Sequence, residues 1–175
     1  PAVARALQAG VRVLGVDLFE QGEFVADGTP FAHVRLASPR AHAGYTFGYN
    51  QPLPAERVQD VLTAVRAARG RVGPDGLVLL IGRGPSSGLA AGARMLARSE
   101  IDRAVFDVAG FRFASAARID DPTFLPGAVK YGDVPALMAL GAPLPTWVID
   151  TTGPYRESDE SSGLRVTLAP VSPAP

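Results

Sequence analysis

The chain has 175 residues, a formal net charge of zero and 47% hydrophobic residues, which suffices for one domain with a buried core. The zero net charge gives no electrostatic reason to expect a nucleic-acid or an acidic-membrane partner. The absence of cysteine excludes disulfides and thiolate metal sites, and no apolar run approaches the ~20 residues of a membrane span.

The first half of the chain predicts one strand and one long helix. Residues 11–16, VRVLGV, are a short apolar run that is typical of a buried strand. A helix is predicted to begin at Pro52 and to stop at Gly70, because apolar residues there recur at intervals of three and four. They are Val58, Val61, Leu62 and Val65.

The second half predicts strands that alternate with helices. The predicted strands are 77–81, 104–109, 146–150 and 164–169, and the predicted helices are 89–98 and 133–140. This alternation indicates an α/β fold, with three layers (α/β/α) and a mostly parallel sheet. Residues 1–169 would form the domain, with a polar loop at 156–163 and a proline-rich tail at 170–175.

The segment 82–88, GRGPSSG, joins the strand predicted at 77–81 to the next helix. In parallel sheets, ligands and nucleophiles lie at such carboxyl ends of strands. A strand, a sharp turn with the pattern G-x-S-x-G and a helix form the nucleophile elbow of α/β-hydrolases. The pattern fits this segment in two registers.

In the first register the turn begins at Gly82, directly after the apolar strand, and Gly84 occupies the nucleophile position. Glycine adopts the strained backbone of that position without steric cost, and Pro85 suits the first position of a helix. In the second register residues 84–88, GPSSG, match the pattern literally, and Ser86 is the nucleophile. The second register requires a strand that runs past Gly82, so turn chemistry favours the first.

Five segments of the chain together resemble the α/β-hydrolase family. They are VLGVDLFEQGEF, GYTFGYNQPLPAERVQDVLTAVRAA, LVLLIGRGPSSGLAAGARMLA, DRAVFDVAGFRF and DPTFLPGAVKYGDVPALMALGAPLPTWV. More narrowly, they look like the acetyl-xylan-esterase-related (carbohydrate-esterase-like) hydrolases of bacteria. The resemblance covers most of residues 1–150 and implies an α/β-hydrolase-like fold whose first strands are missing. Because the chain begins at Pro1 rather than Met, we expect a processed product or an excised piece.

The resemblance also implies where a catalytic triad would lie. The family's serine corresponds to Gly84, and its acid follows the strand at 146–150, which makes Asp150 the candidate acid. The family's histidine follows the last strand, where this chain has PVSP at 170–173. The chain would then retain the nucleophile-elbow turn, with Gly82, Gly84 and Gly88, but would lack the groups that catalyse hydrolysis.

The histidine count gives the same expectation without any family. The chain has two histidines, His33 and His42, and both precede the elbow. Triads occur in several chain orders, so His42 is a candidate base for Ser86 or Ser87 if its loop folds over the strand ends. A surface position is commoner for a loop histidine, and a serine without a base is a weak nucleophile.

Another class of function fits the glycines. Gly82, Gly84 and Gly88 also fit a loop that binds a dinucleotide's pyrophosphate at a helix N-terminus, with Asp107 near the place of a ribose-binding acid. Against it, Pro85 removes a donor that the phosphate would use. The pair Asp120 and Asp121 is expected to form a turn.

Aromatic residues are the candidates for a cleft that faces a carbohydrate, although such residues more often form the core under long loops. They are Tyr45, Phe47, Tyr49, Phe111, Phe113 and Phe124. We therefore expect a degenerate domain related to acetyl xylan esterases, with a structural or partner-binding role beside a companion hydrolase domain. The alternatives are a weak serine esterase that uses Ser86 on a carbohydrate ester, and a dinucleotide-binding domain. No metal or cofactor is expected, and the resemblance would imply export.

Overall fold

A computed structural model describes residues 2–36, 42–149 and 164–166. Three sequence predictions fall outside these residues: the candidate acid Asp150, the polar loop at 156–163 and the tail at 170–175. The described helices are α1 (Ala2–Gln8), α2 (Ala43–Phe47), α3 (Leu53–Val72), α4 (Pro85–Ala97) and α5 (Asp133–Leu140). The described strands are β1 (Leu79–Arg83), β2 (Arg103–Asp107), β3 (Thr146–Ile149) and β4 (Leu164–Val166).

The four strands form one sheet in the order β1-β2-β3-β4, and every pairing is parallel. Leu79 pairs with Arg103, and Ala104 pairs with Thr146, so the carboxyl ends of these strands lie together at one end of the sheet. The α/β class with a parallel sheet, predicted from the alternating elements, is confirmed. Helices connect β1 to β2 and β2 to β3, as parallel strands require.

The core lies between the sheet and the helices on one of its faces. Phe106 and Val148, on β2 and β3, belong to the same buried cluster as Ala90 of α4 and Met138 of α5. Helix α3 packs beside α4. On the opposite face Leu79 and Ile81 of β1 are 51% and 60% exposed. Where the structure is described, the fold therefore has two layers, where the sequence predicted three.

The strand predicted at residues 11–16 is wrong. These residues are exposed and pair with no strand in the described part of the chain, although they lie beside β1. An apolar run forms a strand only where a neighbouring strand pairs with it, and β1 does not do so. The helix predicted at 89–98 begins earlier, at Pro85, because proline tolerates the first helical turn.

Asp102, just before β2, holds the end of α3 and the start of β1 together. Its Oδ2 accepts hydrogen bonds from the Val78 N–H at 2.7 Å and from Nη2 of Arg69 at 2.5 Å. The Val78 hydrogen bond first, and Arg69 after it, lower the pKa of the Asp102 carboxyl. The carboxylate therefore stabilises the native state above the pKa of an unfolded Asp, near 3.9.

We expect Asp102→Asn to lower the free energy of unfolding at pH 7 by about 1–2 kcal/mol, because hydrogen bonds to a charged group are lost. The difference from the wild type should shrink as pH falls below about 4, because the unfolded wild type takes up a proton at this carboxyl there and the native state does so only at lower pH. Urea unfolding at several pH values measures this. If the difference in unfolding free energy between wild type and variant stays constant down to pH 2, the lowered pKa does not belong to Asp102.

Candidate functional site

The turn between β1 and α4 contains a single residue, Gly84. Strand β1 continues through Gly82 and Arg83, so the prediction that the turn begins at Gly82 is wrong, and the longer strand that the second register requires is present. Helix α4 begins at Pro85, however, so Gly84 and not Ser86 lies between the strand and the helix. Gly84 has φ 53° and ψ −130°, a conformation in which other residues are strained. A Cβ built on Gly84 would have no atom within 4 Å. The position between strand and helix therefore has room for a side chain but carries none.

The other two glycines of the segment are required by close packing. A Cβ at Gly82 would lie 2.8 Å from the Cβ of Ala90 and from the Cα of Ser87. A Cβ at Gly88 would lie 2.8 Å from the ring of Phe113. Gly82 thus lets α4 approach the strand, and Gly88 lets the Phe113 ring pack on the helix.

The two serines differ in accessibility. Ser87 is completely buried, and its hydroxyl donates a hydrogen bond to the Gly84 carbonyl at 2.6 Å. Ser86 is exposed in the first turn of α4. Ser86 is therefore the one serine of the turn whose hydroxyl a reagent can reach, and it lies on helical backbone rather than at the strained position.

Neither histidine forms a hydrogen bond with Gly84, Ser86 or Ser87, all of which the structure describes. His42 is exposed next to α2, with its ring 6.1 Å from that of Tyr45, and it forms no hydrogen bond with Ser86. The Nδ1 atom of His33 lies 3.5 Å from Oδ2 of Asp120. The described residues thus bring no histidine to Ser86. The candidate acid Asp150 lies outside them.

The carboxylates near the strand ends have their own partners. Oδ2 of Asp107 accepts a hydrogen bond from Nε of Arg83 at 3.2 Å, across the β1–β2 pair. Asp120 accepts two hydrogen bonds from Arg118, which lower the pKa of its carboxyl. Asp121 forms the predicted turn, since it accepts hydrogen bonds from the backbone and hydroxyl of Thr123. No cluster of His, Asp or Glu suited to a metal occurs where the chain is described.

The dinucleotide alternative finds partial geometric support. The parallel pairing puts Asp107 at the same end of the sheet as Gly84. The Gly84 N–H donates a hydrogen bond to the Asp107 carbonyl at 2.8 Å. However, Pro85 has no N–H, and the Ser87 N–H already donates to the Gly84 carbonyl at 3.0 Å. Few donors remain for a phosphate at this turn, and the alternative stays a prediction.

The aromatic residues do not form one surface. Phe113 is buried in the core cluster, with Phe111 against it at a ring distance of 5.2 Å. Phe47 and Phe124 pack on each other at 5.5 Å. Tyr49 is 97% exposed. Part of the set thus contributes to packing, as such residues commonly do.

Two charged residues matter in ways that the sequence analysis missed. Asp133 accepts hydrogen bonds from the N–H groups of Phe113, Ala114 and Val134, so it fixes the loop that covers Gly88. Arg94 of α4 is 1% exposed and donates to the carbonyls of Arg98 and Ile101. The one available signal for Arg94 is its position inside the small-residue stretch of α4.

The comparisons with known proteins add no family. No protein-family model, curated protein or solved structure matches the chain. In the described residues no helix is long and apolar enough to cross a membrane.

Proposed function

We propose that the chain is a non-catalytic α/β-hydrolase-like domain related to acetyl xylan (carbohydrate) esterases, with a structural or partner-binding role beside an active hydrolase domain. The observation that carries this proposal is the backbone of Gly84. It lies alone between a parallel strand and a helix, at φ 53° and ψ −130°, where a hydrolase carries its nucleophile on a strained turn. Glycine supplies no oxygen there.

The surroundings of the turn support the same proposal. Ser87 is buried and bonded to Gly84, and exposed Ser86 forms no hydrogen bond with either histidine. A serine hydroxyl reacts slowly unless a base removes its proton. The described site therefore offers an exposed hydroxyl without an activating group.

The shape of the sheet supports the finer part of the proposal, an incomplete three-layer domain. Among the described residues β1 pairs only with β2, and the face with Leu79 and Ile81 is exposed. Parallel sheets are normally covered on both faces and protected at their edges. In the proposed arrangement, the companion hydrolase domain supplies the first strands and the second layer of helices.

Hydrolysis of 4-nitrophenyl acetate tests the proposal. We expect the wild-type chain and Ser86→Ala to give the same rate, equal to that of an unrelated protein at the same concentration, because no base activates Ser86. Ser86 is exposed, so this substitution should leave the fold intact. A wild-type rate about tenfold above that of Ser86→Ala would establish a serine esterase and contradict the proposal.

A further inference from the structure

One edge of β1 has backbone groups that are unpaired within the described part of the chain. Val78 and Gly84 direct their backbone hydrogen bonds toward β2. Because successive residues of a strand alternate, the N–H and C=O groups of Leu79, Ile81 and Arg83 point to the other edge. No described residue forms a backbone hydrogen bond with that edge.

A second, apolar segment lines a groove together with β1 and does not pair with it. Residues 12–16 line the same groove as residues 77–81, and they form no backbone hydrogen bond with any described residue. Val13, Leu14 and Val16 are about half exposed. We call the space between residues 12–16 and residues 77–81 the open groove.

The open groove has the form of a place for a strand. Its volume is about 690 Å³, and apolar side chains of α3, among them Val61, Val65 and Ala68, line it together with the two segments. An interior strand of an α/β sheet has a neighbouring strand on each side and a helix over one face, and the open groove offers the same surroundings. Val11 and Arg12 lie beside Leu77, so the two segments begin at the same end, as parallel strands do.

That end of the open groove is positively charged. Arg12 and Arg71 lie there together, and neither forms an ion pair with a described carboxylate. A carboxylate at this end would complement them. An apolar carboxylate such as a fatty acid would do so too, but it would leave the edge of β1 without hydrogen-bond partners.

We propose that the open groove binds an extended apolar peptide strand, parallel to β1, with an acidic residue at its N-terminal end beside Arg12 and Arg71. The strand would match the five residues of β1 and bind by strand addition to the exposed edge. The inference rests on the proposed function in one respect: the open groove would be the surface through which the partner-binding role acts. Hydrolysis at Ser86 and binding in the open groove are measured separately, so either proposal can fail alone.

Hydrogen exchange of the 175-residue chain, with and without the peptide acetyl-Glu-Ile-Thr-Val-Thr-Val-amide, tests the proposal. The peptide is used at about 1 mM, the effective concentration that a short flexible linker gives. We expect exchange at alternate residues of 12–16 and at Leu79, Ile81 and Arg83 to slow by about tenfold or more, because the amides that face the peptide acquire partners. Exchange in β2 and β3 should not change.

A charge exchange provides the matched control. Arg71→Glu, on the exposed end of α3, should weaken binding of this peptide by about two- to fivefold, as for a surface ion pair. The same peptide with Lys in place of Glu should recover that loss on the variant and bind the wild type more weakly. A peptide with Pro at its centre should give no protection.

Three results would overturn the proposal. The first is unchanged exchange with the peptide present. The second is protection by dodecanoate and not by the peptide, which would make the occupant an apolar carboxylate. The third is protection that rises with protein concentration alone and accompanies a dimer in light scattering, which would make the occupant a second copy of the chain.

Discussion

Gly82→Ala is expected to lower the free energy of unfolding by about 2–3 kcal/mol, the usual cost of an added methyl group in a tightly packed interior. The added Cβ would lie 2.8 Å from the Cα of Ser87 and 2.9 Å from the carbonyl oxygen of Ser86. Both are backbone atoms at the start of α4, so the helix itself must move away from β1. Urea unfolding followed by circular dichroism measures the change.

Gly70→Ala is the matched control for Gly82→Ala. Gly70 lies inside α3, and a Cβ there would have no atom within 4 Å. Because alanine favours a helix over glycine, this variant should be more stable than the wild type by about 0.5–1 kcal/mol. Equal changes in the two variants would contradict the view that close packing of α4 on β1 requires Gly82.

We expect Arg94→Ala to lower the free energy of unfolding by about 3 kcal/mol, because it leaves a cavity in place of a large buried side chain and two carbonyls without a donor. Arg94 is 1% exposed and donates to the carbonyls of Arg98 and Ile101, which the substitution leaves without this donor. Burial lowers the pKa of the Arg94 guanidinium, and the charge of Asp102 partly opposes this. Thermal and urea unfolding measure the loss.

The control for Arg94 is an arginine on the surface. Arg66 of α3 is 64% exposed and lies 3.8 Å from a carboxylate oxygen of Glu100. Arg66→Ala should change stability by no more than about 0.5 kcal/mol, because exposed ion pairs contribute little. A loss at Arg94 as small as that at Arg66 would show that the buried guanidinium does not hold the end of α4.

The sheet could be predicted because its strands are apolar runs of the right length. The predicted strands at 77–81 and 104–109 overlap β1 and β2 with ends that differ by one or two residues, and their alternation with helices predicted the parallel order. The run at 11–16 is also mostly apolar but forms no strand. The composition of a segment indicates that it can form a strand. Whether it does so depends on a neighbouring strand, which the segment's own residues do not specify.

The limits of the turn were harder to predict than its kind. The strand was expected to end at Ile81, yet β1 continues to Arg83, because Gly82 packs against α4 while it remains paired with Phe106. The turn is therefore one residue long. The positive φ of Gly84 follows from this tightness, and glycine is the residue that allows it.

Burial of charged groups was not visible in the sequence. Arg94 has the spacing of a polar residue on a helix surface, but Ile101 and Gly141 approach it from later parts of the chain. Asp133 is the first residue of the helix predicted at 133–140, and its carboxylate accepts hydrogen bonds from the distant backbone N–H groups of Phe113 and Ala114. Such roles depend on contacts between distant segments, which periodicity does not encode.

Labelling with a fluorophosphonate probe, measured by intact mass, tests most directly the claim that the turn has lost its nucleophile. The wild type, Ser86→Ala and Gly84→Ser are treated alike, and circular dichroism establishes that each is folded. We predict no added mass on the wild type or on Ser86→Ala, because Gly84 has no oxygen and Ser86 has no base. Labelling of the wild type that disappears in Ser86→Ala would show that Ser86 is an activated nucleophile, and would contradict the account.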